Sequence, residues 1–242
     1  LLGGALGRMG REVTAAAAEA QVEIVCGVDV AYTGQPSDYP IVTAFDQATQ
    51  KADVLIDFSR PSALPELLQL VRKEKMPAVL CTTGYNEAEL QMIEEASREI
   101  PVFRSANMSL GVNVLRHLVQ EAARALGEDF DVEIVERHHR MKADSPSGTA
   151  LMLYDSVKEA TETLRQPVFG RYGRTAQRQP GEVGIHAVRG GTITGEHEVC
   201  FYGDGEELIL THRAEKRSLF ARGALRAAAF LMDKPESTTC RT

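Results

Sequence analysis

The stretch GGALGRMGREV, residues 3–13, decides the fold. Gly4, Gly7 and Gly10 are spaced three apart, behind the end of a short apolar run and ahead of a helical pattern. Glycines at a strand-to-helix turn let the backbone approach a pyrophosphate, and the first N–H groups of the helix, at its positive dipole end, receive the charge. The same run would also serve as a turn with no ligand, and the residues downstream decide between the two. Asp29 closes the next β-rich run, VEIVCGVD (22–29), 19 residues beyond Gly10, where a carboxylate accepts hydrogen bonds from a ribose hydroxyl pair. It would equally serve as an ordinary strand-end acid. As a ribose ligand it favours NADH over NADPH, because a 2′-phosphate would meet like charge and the next residues are Val30 and Ala31 rather than Arg or Lys. Arg8, in the first helical turn, either approaches a phosphate or stays solvated.

Working outward, DVLIDFS (53–59), PAVLCTT (77–83) and PVFRSA (101–106) are further short β-rich runs, separated by helix-like stretches near 8–19, 61–74 and 86–99. Strands apolar on both faces alternating with amphipathic helices imply a parallel sheet covered on both sides, a Rossmann-like α/β domain. In such sheets ligands bind beyond the carboxyl ends of the strands. Those ends carry Phe58-Ser59, Thr82-Thr83-Gly84 and Ala106-Asn107-Met108-Ser109, small polar groups suited to a nicotinamide ribose and carboxamide. Ser109 would equally cap the next helix, and Thr82-Thr83 would equally turn the chain.

After about residue 109 the pattern changes. A helix of about 109–126 is followed by the strand-like FDVEIVERHH, a second helix (about 148–164) and a polar Gly/Arg-rich stretch, 165–182. Two further β-rich segments come next, with Gly203-Asp204-Gly205 reading as a hairpin turn, and SLFARGALRAAAFLM (218–232) reads as a last helix. This half reads as an α+β domain with a mixed sheet. The expected division is a dinucleotide-binding domain over 1–109 followed by this second domain.

The totals narrow the function. The 242 residues are 43% apolar and 25% charged, with a formal charge of -7, mildly acidic and unlike a general nucleic-acid binder. No segment approaches the roughly 20 apolar residues of a membrane span. The four cysteines, at 26, 81, 200 and 240, have no CxxC or paired spacing and read as reduced thiols of a cytoplasmic protein. The chain opens on Leu1-Leu2 without an initiator Met, so the start of a first strand is expected to lie outside it.

The second half carries EIVERHHRMKADSPSGTAL, residues 133–151. Ser147, Gly148 and Thr149 stand where a helix begins, an anion seat of hydroxyls and N–H groups, and Lys142 adds a positive charge five residues earlier. His138 and His139 end a strand and can move a proton near neutral pH. The set fits a small polyanion that must be held and protonated; a helix cap, a solvated lysine and a structural histidine are the plain alternatives. Adjacent histidines do not easily share one ion, and no HExxH or Cys/His grouping points to a metal. Arg189 and Arg213 either add positive potential to the site or, as the favoured reading, pair with Asp or Glu.

Together GALGRMGRE, VLIDFSRPSA, TTGYNEAEL, SANMSLGVNVL, VERHHRMKADSPSGTAL, VRGGTITGEHEVCFYGDGEEL and THRAEKRSLFARGALRAAAFL resemble the 4-hydroxy-tetrahydrodipicolinate reductase (dihydrodipicolinate reductase) family, from residue 3 to about 231. The ERHH-x-x-K-x-D-x-PSGTA segment is the most specific part. The resemblance implies an NADH- or NADPH-dependent reduction of a small dicarboxylate in the diaminopimelate route to lysine. It implies that Gly4, Ala5, Leu6, Gly7, Arg8 and Met9 wrap the pyrophosphate, with Asp29 on the ribose. It places Cys81, Thr82, Thr83, Ala106, Asn107, Met108 and Ser109 on the nicotinamide side. His138 and Lys142 would carry protons, and His139, Ser147, Gly148 and Thr149 would hold carboxylates. It also implies that a C-terminal helix at about 217–242 rejoins the dinucleotide-binding domain, that 110–216 is the substrate-binding and oligomerisation domain, and that a homotetramer is built through the sheet of that second domain. Cys81 stands where the family usually has glycine, Ser145 where it has alanine, and the tail DKPESTTCRT departs from the family's ending. Another two-domain NAD(P) oxidoreductase, such as an aspartate or homoserine dehydrogenase relative, would lack HHxxKxDxPSGT; a nucleotide-binding sensor without chemistry would lack His138 and Lys142.

Overall fold

A computed structural model describes residues 1–161, 165–232 and 239–241. The chain divides into two compact units, residues 1–108 with 217–242, and residues 109–216.

In the first unit the β-rich runs form β1 (Leu2–Gly3), β2 (Gly27–Val28), β3 (Ile41–Val42), β4 (Leu55–Asp57), β5 (Ala78–Leu80) and β6 (Val102–Arg104). A further strand, β12 (Thr239–Arg241), joins at the edge, giving the order β12-β6-β5-β4-β1-β2-β3 with every pair parallel. Sequence order reverses between β1 and β4, the switch point of a doubly wound sheet. The run at 22–29 pairs only over Gly27–Val28, and β3 went unread because Ile41-Val42 is too short to show a period.

Each strand sends alternate side chains to opposite faces. Leu55, Ala78, Leu80 and Val102 pack under α2 (Leu64–Lys73) and α3 (Glu87–Ala96) with Leu67, Leu68, Val71 and Ile93. Ile56, Val79 and Cys81 face the other way, against α1 (Arg8–Glu19) and Ala221, Ala224, Ala228 and Leu231 of the last helix. A one-turn 3-10 helix, Pro61–Ala63, precedes α2, so the stretch at 61–74 is not one helix. Asn86 starts α3 with a capping box: its side chain accepts from Glu89 N, and the Glu89 carboxylate accepts from Asn86 N. At the glycine turn, a Cβ on Gly10 would lie 2.2 Å from Gly4 O, so only glycine lets α1 start this close to β1.

The second unit starts with α4 (Leu110–Leu126), capped by Ser109, whose Oγ accepts from Val112 N at 3.2 Å. It continues with β7 (Asp131–His138), α5 (Gly148–Ala160), β8 (Gln166–Val168), β9 (Glu182–Arg189), β10 (Gly195–Tyr202) and β11 (Glu207–Ala214). The sheet order is β11-β10-β7-β9-β8; β10 runs antiparallel to β7 and β11, and β9 parallel to β7 and β8. Val132, Ile134, Val183, Ile185, Val199 and Phe201 face the helices and pack with Leu115, Val119, Leu153 and Val157. Gly203-Asp204-Gly205 joins β10 to β11 as the hairpin turn.

Helix α5 ends at Ala160, and residues 162–164 of the stretch expected to continue it lie outside the described residues. The last helix, α6, is described over Ser218–Met232, the stretch read as a helix, and of the tail grouped with it to 242, residues 239–241 pair with β6 as a strand. Residues 233–238 and 242 lie outside the described residues. Among the described residues no helix is long and apolar enough to cross a membrane.

Candidate active site

In the first unit, the glycine turn connects β1 to α1 at the switch point. Gly4 N donates to Val28 O at 2.8 Å and Gly7 N to Gly4 O at 3.0 Å, which folds the turn back toward the end of β2. There the Asp29 carboxylate accepts from Leu6 N and from Ala31 N, each at 2.9 Å. The acid thus braces the turn with one oxygen and its own loop with the other. Each carboxylate oxygen has two acceptor sites, so capacity for a ribose remains. A cleft of about 250 Å³ opens here, lined by Gly4, Gly7, Asp29, Val30, Phe45 and Arg60 among others. Ala5 is buried beneath the turn, Leu6 and Met9 are half-buried, and Gly7 and Arg8 are exposed at the helix start.

The nicotinamide-side candidates divide. Thr83 and Ala106 are exposed and Asn107 half-buried beyond the ends of β5 and β6. The Thr82 hydroxyl is committed to Asp57 Oδ2 at 2.7 Å. Asp57, 1% exposed at the end of β4, also accepts from Ser59 N, and burial pushes its carboxyl above the usual range against these bonds. The side chains of Cys81 and Met108 turn into the core beneath α6, where burial drives the Cys81 thiol well up. Only their backbone can face a ligand, so a cysteine in place of glycine places its bulk in the core rather than on the crevice.

In the second unit, the strand period of β7 decides which groups meet. Val132, Ile134, Glu136 and His138 share the covered face, so a carboxylate and an imidazole lie side by side in the interior. His138 Nδ1 and Glu136 Oε2 are 2.5 Å apart. Ser147 N donates to Glu136 Oε1 at 2.9 Å, and Arg189, from β9, donates to both oxygens at 2.7 and 2.8 Å. Glu136 is fully buried; burial alone would raise its pKa, but the donors from His138, Arg189 and Ser147 hold it down at about 2.

Ser147 begins α5. Its Oγ accepts from Ala150 N at 3.2 Å and meets His197 Nε2, from β10, at 3.1 Å. His197 lies edge-on to His138, with ring centroids 5.2 Å apart. Burial, then the neighbouring His138, lowers its pKa to about 3, so the ring is neutral. Gly148 is exposed and Thr149 half-buried in the first turn of α5, at its positive end. Lys142 is 21% exposed at its side chain and pairs with Asp144 at 2.9 Å; His139 is half-buried beside it in sequence. His138, Lys142, Ser147 and the start of α5 therefore belong to one cluster inside one unit. Arg213 is paired, as expected, with Glu196 and Glu198, both at 3.8 Å.

Sequence reasoning passed over Glu136 and His197. An acid two residues before a histidine in an alternating strand was the available signal for Glu136. His197 has none, because it is 50 residues from Ser147 and its role depends on β10 pairing with β7. Among the described residues no group of three or more His, Cys, Asp or Glu side chains could hold a metal ion.

The doubly wound sheet, the glycine turn and the switch-point cleft define a pyridine-nucleotide oxidoreductase. Residues 1–108 match the family description "Dihydrodipicolinate reductase, N-terminus" and residues 111–241 "Dihydrodipicolinate reductase, C-terminus". The chain belongs to the dihydrodipicolinate reductase family. The 4-hydroxy-tetrahydrodipicolinate reductase of Caldanaerobacter subterraneus subsp. tengcongensis is 51% identical over 96% of this chain and 92% of that protein. The protein of the same name from Clostridium tetani is 45% identical over 97% and 92%. The structure of dipicolinate-bound dihydrodipicolinate reductase from Paenisporosarcina sp. TG-14 shares the fold, with TM-score 0.78 and 23% identity over 98% of this chain and 96% of that one. Aspartate dehydrogenase from Thermotoga maritima shares it more distantly, with TM-score 0.54 and 12% identity over 97% and 96%.

Proposed function

We propose that the chain reduces 4-hydroxy-tetrahydrodipicolinate to tetrahydrodipicolinate in the diaminopimelate route to lysine, using NADH in preference to NADPH. The observation that carries this reading is the cluster of His138, Lys142 and the start of α5, within a chain of this family. A dicarboxylate needs cationic and N–H partners, and the cluster offers Lys142, His139 and the first turn of α5 through Ser147, Gly148 and Thr149. Loss of the 4-hydroxyl as water leaves a conjugated ring, and its reduction by hydride then needs a proton on the neighbouring carbon, for which His138 and Lys142 are the candidate donors. Bound NAD(P)H supplies the hydride.

In the first unit, Gly4 to Met9 hold the pyrophosphate and Asp29 the ribose. Thr83, Ala106 and Asn107 flank the nicotinamide, and Cys81, Thr82 and Met108 serve it by backbone only. The Asp29 carboxylate supports NADH by charge, while Arg60 on the same cleft tempers that preference. The test is the absorbance of reduced nicotinamide, with NADH and then NADPH, on substrate made in place by the preceding synthase from pyruvate and aspartate semialdehyde. Synthase-dependent loss of signal, abolished in Lys142→Ala, is the expected result. No loss with either cofactor, in protein that binds NADH, sinks the reading.

The assembly we propose is a homotetramer built on the sheet face of the second unit that points away from α4 and α5. Val188, Tyr202 and Ile209 stand 45%, 41% and 45% exposed on that face, where a second copy would cover them. Light scattering that gives four chains for the wild type and fewer for Ile209→Lys is expected; a wild-type monomer overturns it. Three buried free thiols, Cys26, Cys81 and Cys200, support a cytoplasmic setting.

A further inference from the structure

We infer that Glu136 is a positioning residue: its carboxylate fixes His138 with the hydrogen on Nδ1 and Nε2 presented for proton transfer, and ties that imidazole to the turn that opens α5. This rests on the reading of His138 as the proton carrier.

The geometry is overdetermined for a structural ion pair. Arg189 alone would neutralise Glu136, and its two nitrogens already reach both oxygens. Yet Oε2 also meets His138 Nδ1, and Oε1 also receives Ser147 N. An ionised carboxylate only accepts, so it requires the hydrogen on Nδ1. When His138 is neutral, this leaves Nε2 as the unprotonated nitrogen. Buried carboxylates hold histidines in a chosen tautomer in this way elsewhere. Nε2 faces Gly195 on β10, where a Cβ would stand only 3.0 Å from it; the missing side chain gives that nitrogen room.

The charge pattern fits the same role. Facing His138 are Glu136 on its own strand, Arg189 from β9 and the neutral His197 from β10, and His197 in turn lies within electrostatic range of Lys142 and His212. Arg189 also donates to Asp144 O at 2.7 Å, and Asp144 pairs with Lys142. One buried carboxylate thus links the histidine, the lysine loop and the anion seat.

The experiment uses the full-length chain without ligand, labelled with ¹⁵N-histidine, with His138→Gln assigning the resonance. Long-range ¹H–¹⁵N spectra at high pH are expected to show the His138 hydrogen on Nδ1, the minor tautomer of a free imidazole. Glu136→Gln removes the charge at constant shape. It is expected to lower kcat by about 10–100-fold, the cost typical of losing such a supporting partner, with a smaller change in KM. Because Arg189 is then left uncompensated, Glu136→Met with Arg189→Met removes the charge and its partner together and keeps a folded comparison. That double variant is expected to show the hydrogen on Nε2 and the same loss of kcat.

A wild-type His138 with its hydrogen on Nε2 overturns the inference, as does a folded double variant with wild-type kcat. A wild type with Nδ1–H but no turnover of the dicarboxylate sinks the assigned reaction while supporting the positioning geometry.

Discussion

The first unit meets its candidate ligand mainly with backbone: a glycine turn, the start of α1 and a carboxylate that braces them. The candidate site of the second unit is built largely of side chains from β7, β9 and β10, and there His138 Nδ1, both terminal nitrogens of Arg189 and the Ser147 backbone N–H converge on one buried acid. A backbone site tolerates many side chains but few changes of shape. A buried side-chain site tolerates shape changes poorly and charge changes hardly at all, because a lone buried ion or unpaired donor is costly. The two units should therefore fail differently when altered.

The largest separation is expected from the chemistry. His138→Gln and Lys142→Ala should each lower kcat by about 10²–10⁴-fold, the range for a lost proton-transfer group, while NADH binding followed by fluorescence stays at the wild-type level. Loss of NADH binding in either variant would break the division. Next comes Gly10→Ala, whose Cβ would stand 2.2 Å from Gly4 O. It should cost about 1–3 kcal/mol as overpacking, read as a lower denaturant midpoint, with NADH affinity reduced as the turn shifts. An unchanged midpoint would mean the turn relaxes freely. Asp29→Asn should move the NADH-to-NADPH ratio of kcat/KM by about tenfold toward NADPH, about 1.4 kcal/mol. An unmoved ratio would show that the carboxylate only braces Leu6 and Ala31.

A further effect concerns acid. His197 is lowered from 6.5 to about 3 and Glu136 from 4.5 to about 2, chiefly by burial for the first and, against burial, by its donors for the second. In both cases the unfolded chain binds the proton more readily, so stability falls as pH falls. The histidine contribution is full above about 6.5 and is lost toward 3; the glutamate contribution is full above about 4.5 and is lost toward 2. Urea midpoints at a series of pH values should decline through the first window in wild type and flatten there in His197→Gln. An equal decline in both would remove His197 from the account.

The contrast also explains what was legible. Gly4, Gly7, Gly10 and Asp29 are readable because a turn and a strand end are local in sequence. The alternation of apolar runs gave the parallel sheet, though not β3 or β12, which are two and three residues long and carry no period. HHRMKADSPSGT was readable for the same reason as the glycine turn. Arg189 was visible as a charge that needed a partner, but its partner is 53 residues away and depends on β7 lying beside β9. Glu136 reads as a polar residue on a strand until the register places it inward. Cys81 reads as a crevice residue until strand parity sends its side chain under α6.

The return of α6 to the first unit has a consequence for how the chain is made. Leu2, Val13, Ile56 and Val79 form one wall of a cluster whose other wall is Ala221, Ala224, Ala227, Ala228 and Leu231. Synthesis runs from the amino end, so when residue 108 leaves the ribosome that wall has no cover. The second unit, continuous from 109 to 216, has all of its own core before α6 exists. The part of the protein that is made first is thus finished last. A stop codon that spares the whole of the second unit but removes α6 leaves the older half with an open apolar face, a substrate for chaperones and proteases rather than for a cofactor.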